Sequence, residues 1–355
     1  MTTFAGAVLL AVVLVGGSAG RAVACTVRIR PDGNTAAIQH AMDRPGNPLI
    51  CLASGVYKGA RLVASRSARL QNVGKDRVVL SAGGQGRVLT VMQAGVDVVL
   101  DGITLTDGKA ARGGAVAIDA ASRVTLRDCW LTQNTATSQG GGAISASAGE
   151  VVLVRSRLTH NVADMAAALD LTGTAKARVV ASLIADNQPT ATGFGPIRLT
   201  DAASLDLRLS TLAYNGGNGV YVQPSGHGRT RATLDSVIVM GKPDAVAVSR
   251  TEAGHVTISR SVLHGAAGYV PKDLETVHAL PGFDLVNAER YRPILGSAAI
   301  ARGRCVGPDA ALDLGHRPRP AVCSAGALEA APDVVRKTLR ARALAAQSKP
   351  KESPW

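Results

Sequence analysis

Residues 129–134 read Cys-Trp-Leu-Thr-Gln-Asn, 156–161 Ser-Arg-Leu-Thr-His-Asn, 182–187 Ser-Leu-Ile-Ala-Asp-Asn and 210–215 Ser-Thr-Leu-Ala-Tyr-Asn. Each places a Leu or Ile three residues before an Asn, and weaker copies end at Gly108, Gly241 and Ala266. Marking the apolar position gives Leu105, Leu131, Leu158, Ile184, Leu212, Ile238 and Leu263, separated by 26, 27, 26, 28, 26 and 25 residues. A repeat of that length is one structural unit that buries its apolar face only by stacking on its neighbours.

Strands fill the unit. Each Asn is followed by a run of small, Gly-rich residues and then by an alternating apolar pair: Val116/Ile118, Ile144/Ala146, Leu169/Leu171, Ile197/Leu199, Val220/Val222 and Val246/Val248. A second set (Leu100, Leu126, Leu153, Val179, Leu207 and Ile258) lies five residues upstream of the marker. Period-2 alternation is the signature of strands, and the 3.6-residue period of a helix is absent from the repeat. Leucine-rich repeats are excluded because the helical half and its Leu spacing are missing. The expected fold is all-β: a right-handed parallel β-helix.

The Asn column fits that geometry. A buried primary amide has two donors and one acceptor group to satisfy. Stacked about 4.8 Å apart, identical amides satisfy one another. Asn134, Asn161, Asn187 and Asn215 are therefore expected to form an internal ladder at a turn, and none of them starts an Asn-x-Ser/Thr glycosylation triplet.

Composition narrows the functional classes. Of the 355 residues 46% are hydrophobic, 39 are Gly and only 3% are aromatic, which suits a narrow stacked core better than a ring-lined sugar groove. The formal charge of +13 allows an acidic polymer or another anionic surface as partner. The arginines are spread over the repeats rather than clustered, so a generally basic surface explains them and no specific nucleic-acid partner is expected.

Residues 7–15 are apolar, too short to span a bilayer, and Ala22-Val23-Ala24 supplies a small-residue cleavage site, so 1–24 reads as a secretory signal and no transmembrane span is expected after its removal. Export makes the five cysteines meaningful. Cys25 pairs with Cys51 around the entry segment and Cys305 with Cys323 around a closing loop; Cys129 sits in a Ser column and reads as a buried free thiol. A lipid on Cys25 is the competing reading. Asn34 caps a short helix with Ala37, Ile38, Ala41 and Met42 on one face, covering the first open strand edge. Residues 49–57 read as the first strand and turn.

The period breaks after Ala266. Pro-Gly-Phe (281–283), Tyr-Arg-Pro (291–293), Asp-Leu-Gly-His-Arg-Pro-Arg-Pro (313–320) and Cys-Ser-Ala-Gly-Ala-Leu-Glu (323–329) follow in order. This set resembles the choice-of-anchor Q region that closes β-helices of the pectin-lyase-like superfamily in secreted bacterial proteins. Ser324 stands where that pattern carries Asp, while Gly326, Ala327 and Glu329 match. The resemblance implies a β-helix over 25–280, a closing region over 281–330 and a location in the cell envelope or outside it; it leaves activity open. The remainder, 331–355, is a basic tail, helical over 333–346 or disordered, which reads as solvated; contact with an anionic membrane surface is the alternative.

Two outward polar columns are candidate sites. Ser145, Asp170, Arg198 and Tyr221 share one strand face, and Gln133, His160, Asp186 and Tyr214 precede the ladder. Neighbouring rungs bring Asp170 to Arg198 and His160 to Asp186, either as binding or acid–base groups or as cross-strand surface pairs. No Asp-Asp pair occurs in the repeats, and Gly-His-Gly at 226–228 lacks acidic partners, so neither the carboxylate pair of an inverting hydrolase nor the acidic cluster of a Ca²⁺-dependent lyase is legible. No zinc spacing, metal or cofactor is expected. The reading is an exported, non-catalytic β-helix protein for adhesion or polysaccharide contact. A polysaccharide lyase or glycoside hydrolase is the alternative, and a lipid-linked envelope scaffold a third.

Overall fold

The computed structural model describes residues 24–31, 35–192, 194–224, 229–241, 246–250, 254–265, 273, 275–286 and 290–347. The expected signal segment, Asn34, the 226–228 triplet and Ala266 lie outside these, apart from Ala24. The chain winds into a parallel β-solenoid. Among the described residues one sheet has ten strands (Val27–Ile29 to His255–Ser259), a second also ten (Gly55–Lys58 to Val277–His278) and a third eight (Leu62–Ala64 to Val248–Arg250). A small fourth sheet of four two-residue strands runs from Lys109–Ala110 to Gln188–Pro189. Alternation decides the interior: Leu100, Leu126, Leu153, Val179 and Leu207 from the first sheet meet Leu105, Leu131, Leu158, Ile184 and Leu212 from the second in one continuous core.

Two sharp corners flank each central strand of the second sheet, from Trp130–Thr132 to Thr211–Ala213. Asp128, Arg155, Ala181 and Leu209 open it and Gln133, His160, Asp186 and Tyr214 close it, all with φ between 46° and 57°. Non-glycine residues there cost about 1 kcal/mol or more each, and the hydrogen bonds just inside the corners offset that cost. Asn134 Nδ2 donates to Asn161 Oδ1 (3.0 Å), Asn161 Nδ2 to Asn187 Oδ1 (2.9 Å) and Asn187 Nδ2 to Asn215 Oδ1 (2.9 Å). Each Oδ1 also accepts the backbone N–H of the preceding rung. The ladder amides donate as well to the carbonyls of Leu105, Leu131, Leu158 and Ile184. A second column runs inside the other corner, where Ser156, Ser182 and Ser210 accept from the backbone N–H one coil earlier. Cys129 heads that column as a buried free thiol, pushed up to about 12 by burial, which keeps it protonated and inert.

The last coils are out of the expected register. Val239, not Ile238, pairs with Leu212 and Leu263, so Leu234 regains the five-residue offset of the other coils. Gly241 consequently follows Met240 in the Tyr214 column rather than in the ladder. On the third sheet Val248 pairs with Val220 and Arg250 with Val222, two residues beyond the expected Val246/Val248. The first strand is Val27–Ile29, ahead of 49–57, and it pairs with Ile50–Leu52. The N-terminal helix α1 spans Ala36–Met42 with Thr35 at its N-cap; Ile38, Ala41 and Met42 are buried and Ala37 is exposed. Disulfides join Cys25 to Cys51 and Cys305 to Cys323.

The outer face of the second sheet shows where the C-terminal segment must sit. Along one outward column the residues are Thr104, Trp130, Arg157, Leu183, Thr211, Ile238 and Val262. From Leu183 onward the column is mostly apolar, and residues 283–328 cover it: Tyr291, Leu314, Ala327 and Leu328 pack on Leu183, Ala185 and Ala213. Gly326, at φ 93°, approaches so closely that a Cβ would lie 2.6 Å from Ile238 Cδ1. A buried polar clasp holds this segment together. Arg319 donates to the Gly326 and Ala327 carbonyls (both 2.7 Å) and to Glu329 (3.3 Å). Glu329 accepts from the Ser324 N–H and hydroxyl, and Asp313 accepts the Glu329 N–H. An aspartate at 324 would set a second carboxylate against Glu329; the serine hydroxyl donates instead.

Three polar contacts tie the segment to the solenoid corner. Asp309 meets Arg127 (3.1 Å) and Arg178 (2.7 Å), and His316 Nε2 lies 3.2 Å from Asp128. The C-terminal helix α2, Pro332–Gln347, docks through buried Thr338, which accepts from the Gly296 N–H, and through Arg342, which donates to the Ser297 and Ile300 carbonyls. Of the two alternatives expected for the tail, the helix is formed; most of its residues, Leu339 and Leu344 among them, are exposed and the polar Thr338 is its buried contact.

Asn161→Ala takes the acceptor from the Asn134 backbone N–H, one acceptor from Asn134 Nδ2 and a donor from the Leu131 carbonyl. It is expected to cost about 2–4 kcal/mol in urea unfolding, whereas Gln133→Ala, one residue outside the ladder, changes stability by less than about 1 kcal/mol. Burial pushes the Asp309 carboxyl up, but hydrogen bonds and charge from Arg127 and Arg178 outweigh it and hold it below the ordinary range. That stability is present above the carboxyl's unfolded value and is lost as pH falls through its depressed folded one. Acid should therefore loosen the 305–323 loop, read by hydrogen exchange, and Asp309→Asn should remove this pH response.

Candidate functional site

The first polar column is not a surface. Register aligns Ser145, Asp170, Arg198 and Tyr221 as expected, but Ser145 and Asp170 are only 2% and 3% exposed. The Gly-rich segments that lead into the third sheet fold back over it. A Cβ on Gly140 would lie 2.4 Å from Asp170 Oδ2, so only glycine lets the chain pass. Arg198 grips Asp170 through two bonds, Nε–Oδ1 (2.7 Å) and Nη2–Oδ2 (2.8 Å), and Tyr221 meets Phe194 edge-on. The pair fastens one coil's loop to the next and has no open side for a ligand.

The second column does reach a cleft. His160 and Asp186 stand at successive corners and line a cavity of about 340 Å³ between the second sheet and the edge of the C-terminal segment. They do not bond to each other. Asp186 instead accepts the Tyr291 hydroxyl (2.7 Å), and Tyr291 is flanked by the rings of Tyr214 (5.9 Å) and Phe283 (5.8 Å). Burial first, and then the Asp186 carboxylate, push the Tyr291 phenol well above its ordinary value, so it stays a donor. Gln133 is in the same corner column but does not line the cleft.

Arg77, Trp130, Arg157, Arg290 and Tyr291 complete the lining and were not candidates from the sequence. The Arg77 guanidinium lies 4.5 Å from the centre of the Trp130 ring, and Trp130 Nε1 donates to Thr159 Oγ1 (2.7 Å), which fixes the indole. Arg290 stacks 5.4 Å from the Tyr291 ring. Three guanidiniums and an imidazole thus share the lining with Asp186, the one carboxylate among the described lining residues. The signal that marks this place is the change from Arg157 to Leu183 along the outward column, the rim of the covering segment. Tyr291 arrives from 105 residues beyond Asp186, and no repeat announces it.

Chemically, the cleft offers a flat ring edge for stacking and several positive donors for an anionic group. Its single carboxylate is engaged by a phenol. The spaced carboxylate pair of an inverting hydrolase is not formed by these lining residues. Among the described residues no group of three or more His, Cys, Asp and Glu side chains is placed to hold a metal ion.

A solved structure of pectate lyase Pel9A aligns with 87% of this chain and 98% of its own, at 12% identity and a TM-score of 0.47. No family model matches the chain, and no curated protein does.

Asp170→Ala leaves Arg198 nearly buried without its partner, and a loss of about 3–5 kcal/mol is expected in chemical unfolding. Glycan binding, measured on the protein that remains folded, should be unchanged. A variant of normal stability with altered binding would return Asp170 to the list of ligand-contacting groups.

Proposed function

We propose that this chain is an exported β-helix protein of the pectin-lyase-like kind that holds an acidic polysaccharide in the cleft beside Trp130 without cleaving it. The observation that carries this reading is the lining itself: Arg77, Arg157 and Arg290 with His160 and a braced indole, around one already-engaged carboxylate. Guanidiniums provide forked donors for carboxylate or sulfate groups of a glycan, and the indole, which lies under the Arg77 guanidinium, adds apolar contact along its edge. Asp170, Arg198 and Tyr221 take no part. Solenoid over 25–280, choice-of-anchor Q-type closure over 281–330 and basic tail over 331–355 is the division we adopt; the buried Asp313–Arg319–Glu329 clasp supports the closure.

Export is supported by the two disulfides, which persist in oxidising compartments, and by the apolar 7–15 stretch with its cleavage pattern. No helix among the described residues is long and apolar enough to cross a membrane. The Cys25 sulfur is used by its bridge to Cys51, which leaves no thiol for a lipid and disfavours the lipid-linked scaffold.

The test is calorimetric titration with oligogalacturonate and a neutral dextran oligomer at two salt concentrations. Only the acidic ligand should bind, more weakly at high salt, and Trp130→Ala or Arg157→Ala should each lower affinity by about tenfold or more. Equal binding of the neutral oligomer would refute the proposal. Incubating the same acidic polymer with and without Ca²⁺ should release neither reducing ends nor unsaturated products. Turnover that disappears in Asp186→Asn or His160→Ala would establish the lyase or hydrolase instead.

A further inference from the structure

Exposed large apolar side chains are unevenly distributed. Among the described residues there are fourteen, and nine of them (Leu280, Leu285, Val286, Ile294, Leu295, Val306, Val322, Leu339 and Leu344) lie in the C-terminal quarter. The solenoid, although longer, shows five. A contiguous exposed apolar patch on a folded surface marks a place of contact. Here hydrogen bonds bring several of these residues together. The Ile294 N–H bonds to the Gly282 carbonyl (3.2 Å), two residues after Leu280, and the Gly296 N–H bonds to Thr338 Oγ1 (3.2 Å), which brings the backbone that follows Leu295 to the turn of α2 that carries Leu339.

Helix α2 adds charge to the strip. With Thr338 and Arg342 turned to the protein, the 100° advance per residue puts Arg336 and Arg340 on the opposite face. Leu339 flanks them on one side and Leu344 with Lys337 on the other. Asp333 is the one acidic residue in α2. It lies 3.8 Å from Lys337, at exposed positions where the pair neutralises little. Cations between exposed leucines match a negatively charged surface that also accepts apolar side chains to a shallow depth. A second copy of the same patch would set like charges against each other.

We propose that this C-terminal face is a docking surface for an anionic lipid bilayer, with Ile294, Leu295, Leu339 and Leu344 entering the headgroup boundary and Arg336, Lys337 and Arg340 binding lipid phosphates. None of these residues lines the cleft, so the two contacts can be tested separately.

The experiment is co-sedimentation of the full mature chain with phosphatidylcholine vesicles containing or lacking phosphatidylglycerol. Binding should require phosphatidylglycerol and fall away as salt reaches about 0.5 M. Arg336→Ala with Arg340→Ala should weaken it about thirtyfold, at about tenfold for each 1.4 kcal/mol and about 1 kcal/mol per basic residue. Leu295→Ser with Leu339→Ser should also weaken it, while both double variants keep the parent melting temperature and Trp130→Ala binds vesicles normally. Absence of binding to anionic vesicles overturns the proposal, as does binding untouched by either double variant. Self-association in light scattering that is abolished by Leu295→Ser/Leu339→Ser would also overturn it by assigning the patch to a second copy.

Discussion

Hydrogen bonding along the stacking axis is the constraint on which this molecule depends. Each interior strand of the three large sheets pairs in parallel with the coil above and below, and the corners of the central coils, where strand pairing stops, are closed by side chains that repeat the same pattern. An asparagine in the Asn134–Asn215 column spends its donors on a carbonyl and on the next amide, and its acceptor on a backbone N–H and an amide from the rung before. The buried amide therefore replaces the missing ladder bond rather than interrupting the core. The left-handed backbone at His160 or Asp186 follows from this, because the side chain after it must turn inward.

That corner also places the cleft. A residue held at φ near 55° directs its side chain outward at the edge of the second sheet, so His160 and Asp186 are presented without any helix or long loop to carry them. The covering segment then meets a sheet face whose outward residues change from Arg157 to Leu183, and its edge stops at that boundary. One wall is solenoid and the other is Tyr291 and Arg290, so the site exists only where the two surfaces meet. Its electrostatic character follows from what the apolar footprint leaves over: arginines at the rim and one carboxylate taken by a phenol.

Much of the solenoid was legible because its period repeats in sequence. Leu131, Leu158 and Ile184 pair as their spacing requires, and the Ser column and Cys129 follow from the same alignment. The register failed where a coil runs longer than the marker spacing: a slip of one at Val239 and of two at Val248 cannot be seen when Ile238 and Val246 are equally apolar. Burial failed for Asp170 because alternation tells which side of a strand a residue is on. It does not tell what lies over that side, and here the cover is glycine backbone from the neighbouring coil. The cleft was half visible, through the His160 column, since Tyr291 and Arg290 come from a segment with no repeat to index them.

The two disulfides do different work: Cys25–Cys51 ties the entry strand to the first coil, whereas Cys305–Cys323 closes a loop within the covering segment, against Leu209. A linear array whose units touch only their neighbours normally unzips from its termini, where each unit has a single partner. Bridged covalently at its first coil alone, this array has its weak end at the late coils, whose sequence supplies no ladder asparagine. Mechanical wear on such a rod would then peel it from one tip while the other stays shut.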